Sequence, residues 1–323
     1  MKFPLSLAVG IIALSSACSS DDDDTASTVD YKEEMRNLVI NISTKAKSTS
    51  PDFVIIPQNG IELVTQNGED DGALHTAYLD AIDAHGQEDF LYGYDEDDVA
   101  TPSSVTSYLK TFLDRSHSSG NSILITDYCF TESKRSTSYT INNTYGYLSF
   151  AAEHRELDFI PASEPYQVHS GDVNSLSDAK NFLYLLDPQN FSSRTDFLEA
   201  LKNTRYDILI IDLFFHDGTS LTASEIAQLK TKNGGGKRKV IAYMSIGEAE
   251  DYRYYWQSEW SKTKPSWMDA ENPNWPGNYK VKYWEADWQN IIYKNSDSYL
   301  NKIRDAGFDG VYLDIIDAFE YYE

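Results

Sequence analysis

The segment Gly307-Phe308-Asp309-Gly310-Val311-Tyr312-Leu313-Asp314-Ile315-Ile316-Asp317 decides the fold. Residues 310–315 form a short, nearly continuous apolar run, the mark of a strand buried in a parallel sheet. The run carries a carboxylate, Asp314, to its C-terminal tip, where parallel α/β enzymes keep their chemistry. Such a strand normally lies mid-fold, yet only six residues follow Asp317. The helix and strands that should come next stand at the front of the chain, from Tyr31 onward. The expected fold is therefore a single (β/α)8 TIM barrel, circularly permuted by about half a barrel, with a site assembled from both ends of the sequence.

Working outward, seven more runs read as strands: 53–57, 89–92, 123–126, 147–150, 182–186, 208–213 and 240–246. Helical patterns separate most of them, at 32–46, 103–113, 194–202, 223–231 and 288–306. Strands alternating with helices imply a parallel sheet, and eight such units suit one barrel over residues 31–323.

The N-terminus reads differently. Lys2 precedes an apolar run at 3–14, too short to span a bilayer permanently and typical of a signal peptide. Ser16-Ala17-Cys18 is similar to a bacterial lipobox, with Ser15 where Leu is usual. The expected organisation is a lipoprotein signal peptide at 1–17, a lipid anchor on Cys18 and an acidic tether at 18–30. An ordinary secretory signal cleaved near Ala17 is the competing reading. The tract Ser19-Ser20-Asp21-Asp22-Asp23-Asp24 resembles the acidic export signal of surface lipoproteins in Bacteroidetes-type bacteria. The expected location is the outer membrane, exposed at the cell surface. A run of like charges cannot pack and stays solvated.

After Cys18 only Cys129 remains, so the mature chain has no intrachain disulfide and no Cys-rich metal site. The net charge of −24 excludes a nucleic-acid partner, which needs a basic footprint. It favours a cationic substrate, and plain solubility is the alternative. Gly234-Gly235-Gly236 lacks the Lys-Ser/Thr of a phosphate loop, and no cofactor is expected.

The polar residues that end the apolar runs are Asn59, Glu88, Asp127, Asp187, Asp212, Ser245, Glu248 and Asp314. Any one carboxylate could merely cap the following helix. Several on one rim suit glycoside hydrolysis, which needs one protonated acid and one ionised partner. They would also suit a hard cation, but no tight D-x-D-x-D spacing or His cluster appears, and metal is the weaker reading. All six tryptophans fall between Trp256 and Trp288. Trp256, Trp260 and Trp288 are expected to pack, and Trp275, Tyr283 and Trp284 to form a platform for sugar rings.

Four stretches make a family resemblance specific. They are Tyr206-Asp207-Ile208-Leu209-Ile210-Ile211-Asp212, Val240 to Glu250 with Tyr252-Arg253, Asn272-Pro273-Asn274-Trp275-Pro276-Gly277 with Val281 to Trp284, and Gly307 to Asp314 with Asp317. Together they resemble the endo-α-1,4-polygalactosaminidase family of glycoside hydrolases, family 114, and its bacterial relatives. The resemblance runs strongly from Asn181 to Glu323. In that family a helix, a Pro-Gln-Asn-Gly strand end and an acidic segment follow the Asp314-type strand. Here they occur at the front, around Met35 to Ile40, Pro57 to Gly60 and Gln87 to Gly93.

The resemblance implies that Glu88 and Asp314 are the catalytic carboxylates, with Glu88 as proton donor and Asp314 as its ionised partner. Asn59, Asp127, Asp187, Asp212, Tyr243, Glu248, Asp317, Trp275, Tyr283 and Trp284 become substrate-binding candidates, and Arg253 a partner for a carboxylate. The implied substrate is a polysaccharide, cationic and galactosamine-rich. A surface lipoprotein that binds glycan without cleaving it is the alternative.

Overall fold

The computed structural model describes residues 29–323. The expected signal peptide and Cys18 lie outside them, as does nearly all of the expected acidic tether. Among the described residues there are eleven strands: β1 (Val54–Pro57), β2 (Ala84–Glu88), β3 (Ser122–Tyr128), β4 (Leu148–Ala152), β5 (Phe182–Leu185), β6 (Ile208–Ile211), β7 (Lys239–Ser245), β8 (Glu248–Glu250), β9 (Met268–Glu271), β10 (Asn278–Val281) and β11 (Gly310–Asp314). Eight α-helices accompany them: α1 (Tyr31–Lys47), α2 (Thr76–Ala81), α3 (Ser103–Ser118), α4 (Glu132–Thr144), α5 (Arg194–Lys202), α6 (Ala223–Leu229), α7 (Ala286–Gln289) and α8 (Tyr299–Asp305).

Eight strands run parallel in two sheets. One has the order β1-β11-β7-β6-β5 and the other β2-β3-β4. A single parallel bridge, Gln58 to Gly86, joins them at the β1–β2 seam. Between β4 and β5 the contact is through side chains: Phe150 and Phe182 meet with ring centroids 5.8 Å apart. The fold is thus parallel α/β and compatible with a TIM-like barrel, with no ladder across the β4–β5 seam. The expected closed barrel has the 147–150 strand paired with the 182–186 strand, a ladder absent among the described residues, whereas β1 pairs directly with β11 in register Val54 to Gly310.

Helix α1 shows why the front of the chain docks against its end. Asp30 caps it by accepting from the Glu33 amide, 2.9 Å away. Met35, Leu38, Val39, Ile42 and Ala46 recur at helical spacing and are all buried. Its first turn meets the C-terminal segment. Lys32 pairs with Glu323, and the Tyr31 and Tyr322 rings lie 5.5 Å apart. The connector at 161–179 is clasped below the sheet. There the buried Lys232 ammonium donates to Asp207 at 2.8 Å and to the carbonyls of Gly171 and His169 at 2.7 and 3.1 Å.

Two elements differ from expectation. The second strand is Ala84–Glu88 and not residues 89–92. Ala84-His85-Gly86-Gln87-Glu88 has no apolar run, and its polar groups are held in the fold by bonds to Asn59. His85 Nε2 donates to the Asn59 carbonyl at 2.9 Å, and Gln87 Nε2 donates to Asn59 Oδ1 at 3.1 Å. Gly86 leaves room for Tyr312, whose hydroxyl would stand 2.2 Å from any Cβ added there. The long helix expected at 288–306 is broken at Asn295-Ser296-Asp297-Ser298, where polar residues carry the chain from one helical piece to α8. Helix α4 escapes a reading by apolar periodicity because only Ser138 and Asn142 of it are buried, and both are polar.

Candidate active site

The tips of β11, β1, β2 and β3 stand side by side. They carry Asp314, Asn59, Glu88 and Tyr128. Glu88 and Asp314 end strands that flank β1, so their backbones are two strand spacings apart, roughly 10 Å. Backbone strain marks these tips. Asn59, Asp89 and Ile315 take left-handed φ values of 60°, 57° and 58°. For a β-branched residue such as Ile315 this is a true outlier, costing about 1–3 kcal/mol. The turn it makes brings the Ile315 amide onto the Asp314 carboxylate. Gly247 permits it, since a Cβ there would lie 2.2 Å from the Ile315 carbonyl.

Each carboxylate of the pair has its own tyrosine. The Tyr243 hydroxyl donates to Asp314 Oδ2 at 2.7 Å. The Tyr128 hydroxyl donates to Glu88 Oε1, and Asn59 Nδ2 to Glu88 Oε2 at 3.1 Å. Burial, and then the charge of Glu88, push the Asp314 carboxyl up to about 7. Asp317 is pushed well above the usual range by burial and by Asp314. Burial and Glu88 push Asp89 up to about 7 against the pull of Arg155. The groups that act most on Asp314 and Asp317 include the carboxylates of Glu88, Glu250 and Glu320.

The structure divides the other expected residues. Tyr243 and Asp317 sit with the pair. Asn59 does too, but its side chain is spent on β2: Nδ2 holds Glu88, and Oδ1 accepts from the Glu88 amide and Gln87. It positions Glu88. Asp127 is fully buried and accepts from the Leu91 and Tyr92 amides, Ser138 and Asn142, so it ties the loop after β2 to α4. Glu248, also buried, accepts from Asn272 at 2.8 Å, Tyr321 at 3.0 Å and Asn278 at 3.3 Å, and anchors the β8-β10-β9 sheet. Asp212 pairs with Arg253 at 2.6 Å, the carboxylate partnership expected of that arginine. Asp187 caps the turn that follows β5 by accepting from the Gln189 amide. Among the aromatics, Trp275 stands 60% exposed at the tip between β9 and β10, open to a ligand. Tyr283 is wholly buried with its hydroxyl on the Tyr31 carbonyl, which removes it as a sugar platform. Trp284 is half-buried between Tyr31 and Tyr322. Trp260 and Trp288 pack, as expected.

The expected set lacks Tyr128, and it lacks Arg155, whose guanidinium lies over the Tyr128 ring at 3.9 Å. The sequence does hold a signal for the tyrosine. Side chains alternate along a strand, so Asp127 and Tyr128 point to opposite sides. A search for carboxylates at strand ends selects Asp127 and passes over its inward-facing neighbour.

Fold and rim together define a parallel α/β protein with paired, electrostatically coupled carboxylates at its strand tips. Residues 172–322, just under half of the chain, match glycoside-hydrolase family GH114. Asp314 lies inside the matched segment and Glu88 outside it. An uncharacterized protein of Methanocaldococcus jannaschii is 42% identical over 154 residues, 47% of this chain and 40% of the relative. One from Thermotoga maritima is 40% identical over 145 residues, 44% of this chain and 40% of the relative. The chain thus spans about two-fifths of the length of these curated relatives.

Proposed function

We propose that the protein is an endo-acting glycoside hydrolase that cleaves a polysaccharide, in particular an α-1,4-linked galactosamine-rich glycan, between Glu88 and Asp314. The observation that carries this reading is the coupling of the pair: each carboxyl has its own hydrogen-bond partners, and the charge of one raises the other. A pair that shares one proton near neutrality is what glycosidic cleavage requires. The protonated carboxyl gives its proton to the leaving oxygen. The ionised one attacks the anomeric carbon or takes a proton from the attacking water. In the free protein burial, and then the charge of Glu88, favour the proton on Asp314. This reverses the assignment drawn from the sequence.

The carboxylates gathered around Asp314 and Asp317 suit an amino sugar, and exposed Trp275 offers such a ring a face. Purified protein is expected to cut deacetylated galactosaminoglycan faster than its acetylated form, and less well as salt rises. Equal rates on both at all salt concentrations remove the cationic substrate. Binding without cleavage by the unmutated protein makes it a glycan-binding lipoprotein instead. Anchoring of the barrel, residues 31–323, to the outer membrane through Cys18 belongs to the same proposal. Loss of lipid labelling in Cys18→Ala is its test.

The permutation is also a proposal. Its support is the β1–β11 pairing and the meeting of Tyr31 with Tyr322. A cut in one surface connection of an ordinary barrel leaves its two ends touching in this way.

A further inference from the structure

We infer that Arg155 and Tyr128 are positioning residues that decide which member of the carboxylate pair carries the proton. The inference rests on the reading of Glu88 and Asp314 as the reacting pair. Tyr128 ends β3 and is buried, with its hydroxyl donating to Glu88 Oε1. Arg155 comes from the segment after β4 and lies over the face of the same ring, 3.9 Å from its centre. A cation over a phenol ring draws electron density from it and makes its hydroxyl a stronger donor.

Arg155 is held in that place from three sides. It donates to Asp89 Oδ1 at 3.0 Å, to Asp97 Oδ1 at 2.6 Å and to the Gly93 carbonyl at 2.8 Å. All three partners lie in the loop after β2, and Asp89 follows Glu88 directly. The guanidinium therefore locks the backbone that carries Glu88 and polarises the donor that Glu88 accepts. Asp314 has a tyrosine as well, and the Tyr243 ring lies 5.9 Å from the Arg253 guanidinium. Both arginines are paired with carboxylates, but Arg253 stands 5.9 Å from its tyrosine ring and Arg155 only 3.9 Å from its own. The two tyrosines thus polarise unequally, and the stronger donor faces Glu88. Burial aside, Glu88 is the group that acts most on Asp314, followed by Tyr243, the Ile315 amide and Glu250, while Asp317, Tyr184 and Tyr312 also face it. The titration midpoint of Asp314 therefore reports on Glu88.

The experiment is a pH titration of the Asp314 carboxyl carbon by NMR in the whole chain without substrate, beside the pH profile of hydrolysis. In Tyr128→Phe the ring stays and the donor goes. Glu88 then takes the proton more readily, and the Asp314 midpoint should fall by about one pH unit, tenfold in its ionisation constant. Arg155→Gln should lower it in the same direction by less, and Arg155→Lys should restore most of the difference. A folded Tyr128→Phe protein with an unmoved Asp314 midpoint overturns the inference. So does a midpoint that ignores Arg155→Gln, a half-exposed site where loss of folding is not expected. The titration uses no glycan. If it moves as stated and no glycan is cleaved, the inference stands and the hydrolase reading falls.

Discussion

At the scale of single residues, Asp314 ties function to stability. Its carboxyl is raised to about 7 from an ordinary 3.8. A raised acid binds its proton more tightly in the native than in the unfolded state. The stability this contributes is full below about pH 4 and is lost as pH rises toward 7. The ionised Asp314 should thus cost the native state on the order of 4 kcal/mol at pH 8. Asp314→Asn should remove that cost, raising the melting temperature by several degrees at pH 8 and by little at pH 4, as calorimetry at both pH values would read. The same variant, and Glu88→Gln, should lower hydrolysis by roughly 10²–10⁴-fold. Unchanged rates in both would end the two-carboxylate mechanism.

At the scale of elements, β2 is the piece whose sequence and packing disagree most. It has a glycine and three polar residues in five, yet pairs with β3 along its whole length. Its cost is offset by Asn59, which serves Gln87 and Glu88 from the neighbouring strand end. Gly86→Ala would drive a methyl group into the Tyr312 hydroxyl at 2.2 Å. Overpacking of this kind typically costs about 1–3 kcal/mol, and denaturant unfolding should show it. Activity should fall further than stability, because Tyr312 stands two residues before Asp314 on β11 and on the same face. A fully stable Gly86→Ala protein would mean that the space between β2 and β11 is looser than a 2.2 Å approach implies. The clasp under the sheet offers a second measurement. Lys232→Met strands the buried Asp207 carboxylate with only His169 and the Lys180 amide, and should cost about 3–5 kcal/mol.

At the scale of the whole molecule, the chain ends are the informative feature. Tyr31 and Glu323 belong to segments that already touch, so a short linker should join them. Reopening the ring at Gly171 would take an acceptor from buried Lys232. The exposed Ser163-Glu164 bond in the same connector is the better cut. The rejoined protein should fold and keep its activity, with unfolding still a single transition. Two transitions, or an unfolded product, would show that the front and back of the chain do not form one cooperative unit.

Apolar runs and their tips are legible in the sequence itself. Seven of the eight parallel strands fall on or beside the expected runs, because a strand buried on both faces must be apolar in sequence. The run at 310–315 likewise marks Asp314 as the residue at a strand tip, and β11 ends there. What tertiary structure decided was the use of each polar group. Asp127, Glu248 and Glu88 look alike as carboxylates at strand ends. One is consumed by four donors, one anchors an added sheet, and one faces its partner across β1. Tyr283 and Trp275 are likewise equal as aromatics in one loop, yet one is sealed under the chain ends and one stands in solvent. Hydrophobic periodicity reports how much of a residue is buried, since that is set by its own surface. Which group a side chain meets is set by residues far along the chain, and only folding brings those together.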